Sequence, residues 1–172
     1  FDRHVVSPGH FTASAFCLSP NMDALLLIFH PAFKRWIQPG GHFNKADLSP
    51  LSAAKRELYE ETGVTDVEPL GFMDLDVHEV PTLKGIEAHL HGDLRFWMRA
   101  RSMAQMPTSE GHPAAWISLN EIDSIDTDQY GNYLGDNREN SQALNVMASV
   151  NIPGNFKTFT TTTSINMTSI SY

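Results

Sequence analysis

Positive charge is scarce in this sequence, cysteine is nearly absent, and no long apolar run occurs. Lys and Arg total 12 against 20 Asp and Glu, a formal net charge of −8 over 172 residues. A protein that coats a nucleic-acid backbone needs a basic face, so a nucleic-acid polymer is not the expected partner. The same deficit argues against clinging to an anionic membrane. The single cysteine, Cys17, excludes an intramolecular disulfide framework. Set among Ala13, Ala15, Phe16 and Leu18, it reads as a buried, inert thiol rather than a nucleophile. The longest apolar stretch, Ala24 to Phe29, is too short to span a bilayer. The opening Phe1-Asp2-Arg3-His4 does not read as a secretory leader, and a cytoplasmic location is the default expectation. An anionic ligand would have to be attracted by something other than net charge, and a bound cation is the obvious means.

Hydrophobic residues make up 41% of the chain, enough to bury one core. Phe11 to Leu18 and Ala24 to His30 read as strands, the second apolar enough to be buried on both faces. Phe33 to Ile37 is short and amphipathic. Pro39-Gly40-Gly41 is expected to break any regular element. Leu70 to Val80 and Glu87 to Arg101 follow as strands joined by a turn at Pro81 to Gly85, and Ala115 to Leu119 is a further short strand. Asn137 to Val150 carries an apolar stripe at helical spacing. This order predicts an α+β fold, an α/β/α sandwich around a central mixed sheet. The composition changes at Asn151, so residues 1–150 are expected to form the domain and 151–172 a Thr/Ser-rich tail.

The one long helix expected early in the chain runs from Pro50 to Thr62. Ser49 can cap it, Pro50 suits its first position, and Gly63 is the expected left-handed stop. Leu51, Ala54, Leu58 and Thr62 recur at three- and four-residue spacing and define a core face. Glu57, Glu60 and Glu61 share another face, with Cβ atoms roughly 5–6 Å apart. Clustered glutamates ordinarily mean a solvated acidic surface. A hard cation such as Mg²⁺ or Mn²⁺ would equally relieve their repulsion through oxygen ligands. The preceding Pro-Gly-Gly can bring its backbone close to the same point.

These residues resemble the Nudix box. From Arg56 to Val64, Arg-Glu-Leu-Tyr-Glu-Glu-Thr-Gly-Val matches the family pattern at every fixed position. The first half departs: Gly41 to Arg56 spans one residue more than the pattern allows. The first glutamate of the box falls on Asp47 if the extra residue follows it, or on Leu48 without a gap. Lys34 to His42 is similar to the family's entry strand and loop, and Ala115 to Ile122 to its late Trp strand. The resemblance implies an α/β/α sandwich over about residues 10–150. It also implies metal-dependent hydrolysis of the pyrophosphate bond in a nucleoside diphosphate linked to another group, with Mg²⁺ or Mn²⁺ as cofactor. A homodimer would be compatible with it. Carried over by position, Glu57, Glu60 and Glu61 would be metal ligands, Gly40 would offer its backbone carbonyl, and Arg56 would orient the glutamates. Glu110 stands at the family's spacing before Trp116 for a general base or extra ligand, with His112 a weaker candidate, and a box glutamate, Glu60 or Glu61, is the alternative catalytic base. A non-catalytic, nucleotide-binding Nudix module is the alternative, and three intact glutamates count against it. An isomerase on the same fold would need a reactive cysteine, which Cys17 does not match.

Two further segments alternate polar residues with period two: Asp74-x-Asp76-x-His78 and His89-x-His91-x-Asp93-x-Arg95. Paired through the short turn, they would gather acids, imidazoles and an arginine on one sheet face. Asp76, His78, His89, His91, Asp93 and Arg95 are therefore candidate substrate-site residues, or a second metal site. An ordinary solvent-facing sheet is the plainer reading. Tyr130 and Tyr133 are weaker candidates for stacking on a base. His4, His10 and His30 read as incidental.

Overall fold

A computed structural model describes residues 7–82, 85–108, 110 and 112–122. The helix expected at 137–150, Tyr130, Tyr133 and the Thr/Ser-rich tail lie outside these residues. The described elements are β1 (Gly9–Leu18), β2 (Ala24–His30), β3 (Arg35–Ile37), β4 (Gly40–His42), α1 (Pro50–Thr62), β5 (Val67–Val80), β6 (His89–Ala100) and β7 (Ala114–Ser118). The strands form one mixed sheet in the order β3-β2-β1-β6-β5, with β4 also paired to β1 and β7 to β2. β1 runs parallel to β6, and the other pairings are antiparallel. This is the α+β arrangement expected from the sequence. No helix among the described residues is long and apolar enough to cross a membrane.

Alternation along β1 explains how the layers form. Ala13, Ala15 and Cys17 join Ala53, Ala54 and Leu58 of α1 in one fully buried cluster. Small side chains on both elements let the helix lie close to the sheet. Phe16 and Leu18 point the other way and pack with Leu25, Leu27 and Ile122. Burial raises the Cys17 thiol to about 12, consistent with an inert core sulfur.

The helix has the termini that its sequence predicts. Ser49 is extended, and its hydroxyl accepts from Ser52 N at 3.1 Å while Ser52 Oγ accepts from Ser49 N at 2.9 Å. Such reciprocal capping is worth about 1 kcal/mol. Gly63 adopts φ 74° and donates to Tyr59 O at 2.8 Å. A Cβ there would also meet Met106 O at 1.9 Å, so both conformation and space require glycine.

One expectation is overturned. Gly40 and Gly41 do not break the chain; they form β4 with His42, in register with Ser14, Ala13 and Thr12. Neither has positive φ. Glycine serves close approach here rather than turning: a Cβ on Gly40 would lie 2.4 Å from Ser14 Cβ.

Candidate active site

Helix α1 places Glu57 and Glu61 in its inward-facing half, where both are buried, while Glu60 remains partly exposed. Burial of like charges has a visible electrostatic consequence. Desolvation, with Glu57, Glu110 and Glu60 nearby, pushes the Glu61 carboxyl up to about 8 despite a hydrogen bond from Gly40 N at 2.8 Å. Glu57 is likewise raised, chiefly by burial. For Glu57 and Glu61, therefore, burial replaces the solvated acidic surface of the plainer reading.

Arg56 organises this cluster. Its Nη1 donates to Glu57 Oε1 at 2.9 Å and to Glu60 Oε2 at 2.6 Å. Its Nε and Nη2 form a fork onto Asp47, at 3.0 and 2.9 Å, and Nη2 also reaches His42 O at 2.7 Å. The ambiguity in the first half of the box is thereby resolved. Asp47 takes the place of the box's first glutamate, and Leu48 is 95% exposed. In turn, Arg56 holds the Asp47 carboxyl below its usual range.

Gly41 completes the wall. A Cβ at this position would stand 2.7 Å from the Glu57 carboxyl carbon and 2.8 Å from each of its oxygens. Gly41→Ala should therefore displace Glu57 with little change in far-UV circular dichroism and, if Glu57 ligates Mg²⁺ or Mn²⁺ as the resemblance implies, weaken that binding by at least tenfold. Isothermal titration with Mn²⁺ checks this.

The loop before β7 also reaches the cluster. Glu110 is exposed, yet its charge is felt at both Glu57 and Glu61. His112 Nε2 lies 3.8 Å from Glu61 Oε1. The donors that converge here are carboxylate oxygens, the chemistry that hard divalent cations prefer. A cation placed among them would offset the cost of burying these charges. Gly40 contributes its N–H to Glu61.

The second group of candidates forms a separate cluster. In the β5–β6 register Asp74 faces Arg95, Asp76 faces Asp93, and His78 faces His91. On the other side of β6, the parallel register sets His10 beside His91, Thr12 beside Asp93 and Ser14 beside Arg95. All of these belong to the sheet face turned away from α1. Arg95 is buried and held by both oxygens of Asp74. Asp93 is buried too, accepting from Thr12 Oγ1 at 3.0 Å and Ser14 Oγ at 2.6 Å. Desolvation raises its carboxyl. These contacts form an internal polar network, not the solvent-facing sheet of the plainer reading.

Its upper end is made of imidazoles. His89 donates from Nδ1 to Glu87 O at 2.7 Å, and its Nε2 lies 3.1 Å from His91 Nε2. His78 Nδ1 lies 2.7 Å from Asp76 Oδ2. Burial and the neighbouring His10, His42, His78 and His89 hold His91 neutral, down to about 3. His10 is not incidental: its ring centroid is 4.6 Å from that of His91, 4.8 Å from His89 and 4.9 Å from His42. The sequence signal for His10 was weak. It shares a period-two face with Thr12 and Ser14, but only the parallel β1–β6 pairing brings that face to the His89-x-His91 motif.

Comparison with known proteins agrees with this geometry. The NUDIX domain family model matches residues 9–134. A protein of Lactococcus lactis subsp. cremoris named a probable DHNTP pyrophosphohydrolase is 31% identical over 100 residues, 55% of this chain. The match spans only 60% of that relative's length. The structure of a Nudix-family hydrolase from Clostridium perfringens superimposes with a TM-score of 0.56 at 20% identity, over 74% of this chain and 89% of that one. The E. coli dihydroneopterin triphosphate pyrophosphohydrolase gives 0.56 at 12% identity, over 72% and 90%. At such identities the structures report a shared fold. A domain match over well over half of the chain, with the Arg56–Gly63 run folded as a capped helix beside Gly40 and Gly41, establishes that the chain belongs to the Nudix family.

Proposed function

We propose that the protein is a metal-dependent pyrophosphohydrolase acting on a nucleoside diphosphate linked to another moiety. The observation that carries this reading is the convergence of Glu57, Glu60, Glu61 and Glu110, two of them buried and raised chiefly by that burial, with the neighbouring carboxylates adding to it. In this reading Glu57, Glu60 and Glu61 would hold Mg²⁺ or Mn²⁺, which would supply positive charge to offset that building on the phosphate oxygens. Arg56 does not touch substrate. It fixes Glu57 and Glu60 through one nitrogen and ties them to Asp47 and β4 through the others. Gly40 N fixes one oxygen of Glu61 and leaves the other turned toward His112. Glu110, exposed on the facing loop and close enough to perturb both buried glutamates, is the group we assign to proton removal from water.

The polar network on the opposite face is less suited to direct substrate contact than its sequence suggested. Arg95 and Asp93 already have buried partners within the protein, so their part is to hold β1, β5 and β6 in register. The name of the Lactococcus relative supports including a pterin triphosphate among the substrates to test.

The test is release of phosphate, pyrophosphate or nucleoside monophosphate from a panel of nucleoside triphosphates, sugar nucleotides, dinucleoside polyphosphates and dihydroneopterin triphosphate. We expect turnover of at least one member with Mg²⁺ or Mn²⁺ and none with excess chelator. Metal binding without turnover of any member would favour a nucleotide-binding module instead.

A further inference from the structure

We propose that His10, His89 and His91 form a transition-metal site of their own, for a borderline-soft divalent ion of the Zn²⁺ type. The site is separate from the carboxylate cluster on the other side of β4. It does not rest on the hydrolase reading.

Three independent features support the assignment. The first is placement. One imidazole comes from β1 and two come from β6, brought together by the parallel register that pairs His10 with His91. One nitrogen from each of the three rings lies within 4.8 Å of the other two. Around a tetrahedral ion with Zn–N bonds of ~2.0–2.1 Å, ligand nitrogens stand about 3.3–3.4 Å apart. His89 Nε2 and His91 Nε2 are 3.1 Å apart, and the widest pair closes by about 1–1.5 Å through side-chain rotation.

The second is the tautomer. The carbonyl of Glu87 can only accept, so Nδ1 of His89 carries the proton and Nε2 presents its lone pair to the cluster. Metal-bound histidines characteristically donate their other nitrogen to a carbonyl or carboxylate in this way. His78, whose ring is 5.8 Å from that of His91, has the same kind of support from Asp76.

The third is chemistry. His10 and His89 are buried, and the partly buried ring of His91 lies 4.6 Å from that of His10 and 5.0 Å from that of His89. Neutral imidazole nitrogens favour Zn²⁺, Cu²⁺, Ni²⁺ or Co²⁺, whereas the glutamates offer only oxygen and favour Mg²⁺ or Mn²⁺. The two donor sets meet at β4 without mixing. The position of a Gly41 Cβ points at Glu57, while the ring of the next residue, His42, packs against His10 on the opposite face.

The experiment is a Co²⁺ titration of the full chain, freed of metal and then held in saturating Mg²⁺. Bound ion is read from the visible d–d absorption and from metal analysis after desalting. One equivalent of nitrogen-ligated Co²⁺, displaced by Zn²⁺, is expected. His10→Gln and His91→Gln should each weaken it by at least about tenfold, and the double variant Glu57→Gln/Glu61→Gln should bind as the wild type does. The proposal fails if the wild type takes up no Co²⁺ under these conditions. It fails equally if both histidine variants retain full affinity, or if the glutamate variant loses it. Circular dichroism checks folding. Should a β6 variant not fold, the wild-type titration and His10→Gln, on a different strand, still decide.

Discussion

Glu61→Gln should lower turnover by about 10³-fold with Mg²⁺ present, the scale expected when a charge-stabilising group is lost. Gln keeps the shape of the side chain and can still accept from Gly40 N, so the fold should survive. What disappears is the negative charge. The same substitution makes a prediction about stability with the opposite sign. In the folded, metal-free chain the Glu61 carboxyl titrates at about 8, above its ordinary 4.5. Between those values the folded state holds a proton that the unfolded state releases. Stability therefore declines as pH rises from about 4.5 to 8, by up to several kcal/mol. The Gln variant lacks this penalty. Without metal its Tm should exceed that of the wild type, with the gap widening across that window and levelling above it. Mg²⁺ should raise the wild-type Tm and barely move the variant's. Paired kinetic and thermal-melt measurements check both halves. A variant with near-normal turnover, or a metal-free wild type whose Tm rises from pH 5 to 8 relative to the variant, would overturn the assignment of this carboxylate.

The second large effect is expected at Arg56. Removing it leaves Asp47, Glu57 and Glu60 facing one another without their shared cation, and takes one donor away from the carbonyl of His42. Breaking a fully buried pair by deleting one partner costs about 3–5 kcal/mol, and the pairs of Arg56 are only part-buried. Partial exposure of Glu60 places Arg56→Ala at the lower end. Activity should fall by about 10²-fold as the glutamates lose their orientation. Arg56→Lys should recover little of either, because one ammonium cannot replace a fork onto Asp47 together with a separate nitrogen between Glu57 and Glu60. Urea unfolding gives the stability change. Full rescue by Lys would mean that only the charge matters at this position.

How far the sequence could be read depended on whether the relevant signal was local. The helix was legible to its ends because Ser49, Pro50 and Gly63 act within a turn of where they sit. The strands β1, β2, β5, β6 and β7 were legible from apolar content and alternation. β4 was not, because glycine carries two meanings. Gly40 and Gly41 looked like punctuation and instead make room, one for Ser14 and the other for Glu57. The partner of Arg56 was undecided along the chain, since a one-residue insertion shifts Asp47 and Leu48 in the pattern. Folding the loop back on the helix selects Asp47.

From residue types and spacings alone came the capped helix, the three glutamates at i, i+3 and i+4, the inert thiol and the likeness to a Nudix box. All of these depend on interactions between residues a few positions apart. Only the tertiary structure decided that Glu57 and Glu61 are buried rather than solvated, which is what sets their charge at odds with their surroundings. Only it carried His10 across some eighty residues to His91, and turned Arg95 and Asp93 inward onto Asp74, Thr12 and Ser14. The physical reason is common to each case. Burial and cross-strand register are properties of how distant segments pack, and no local pattern encodes which strand a face will meet.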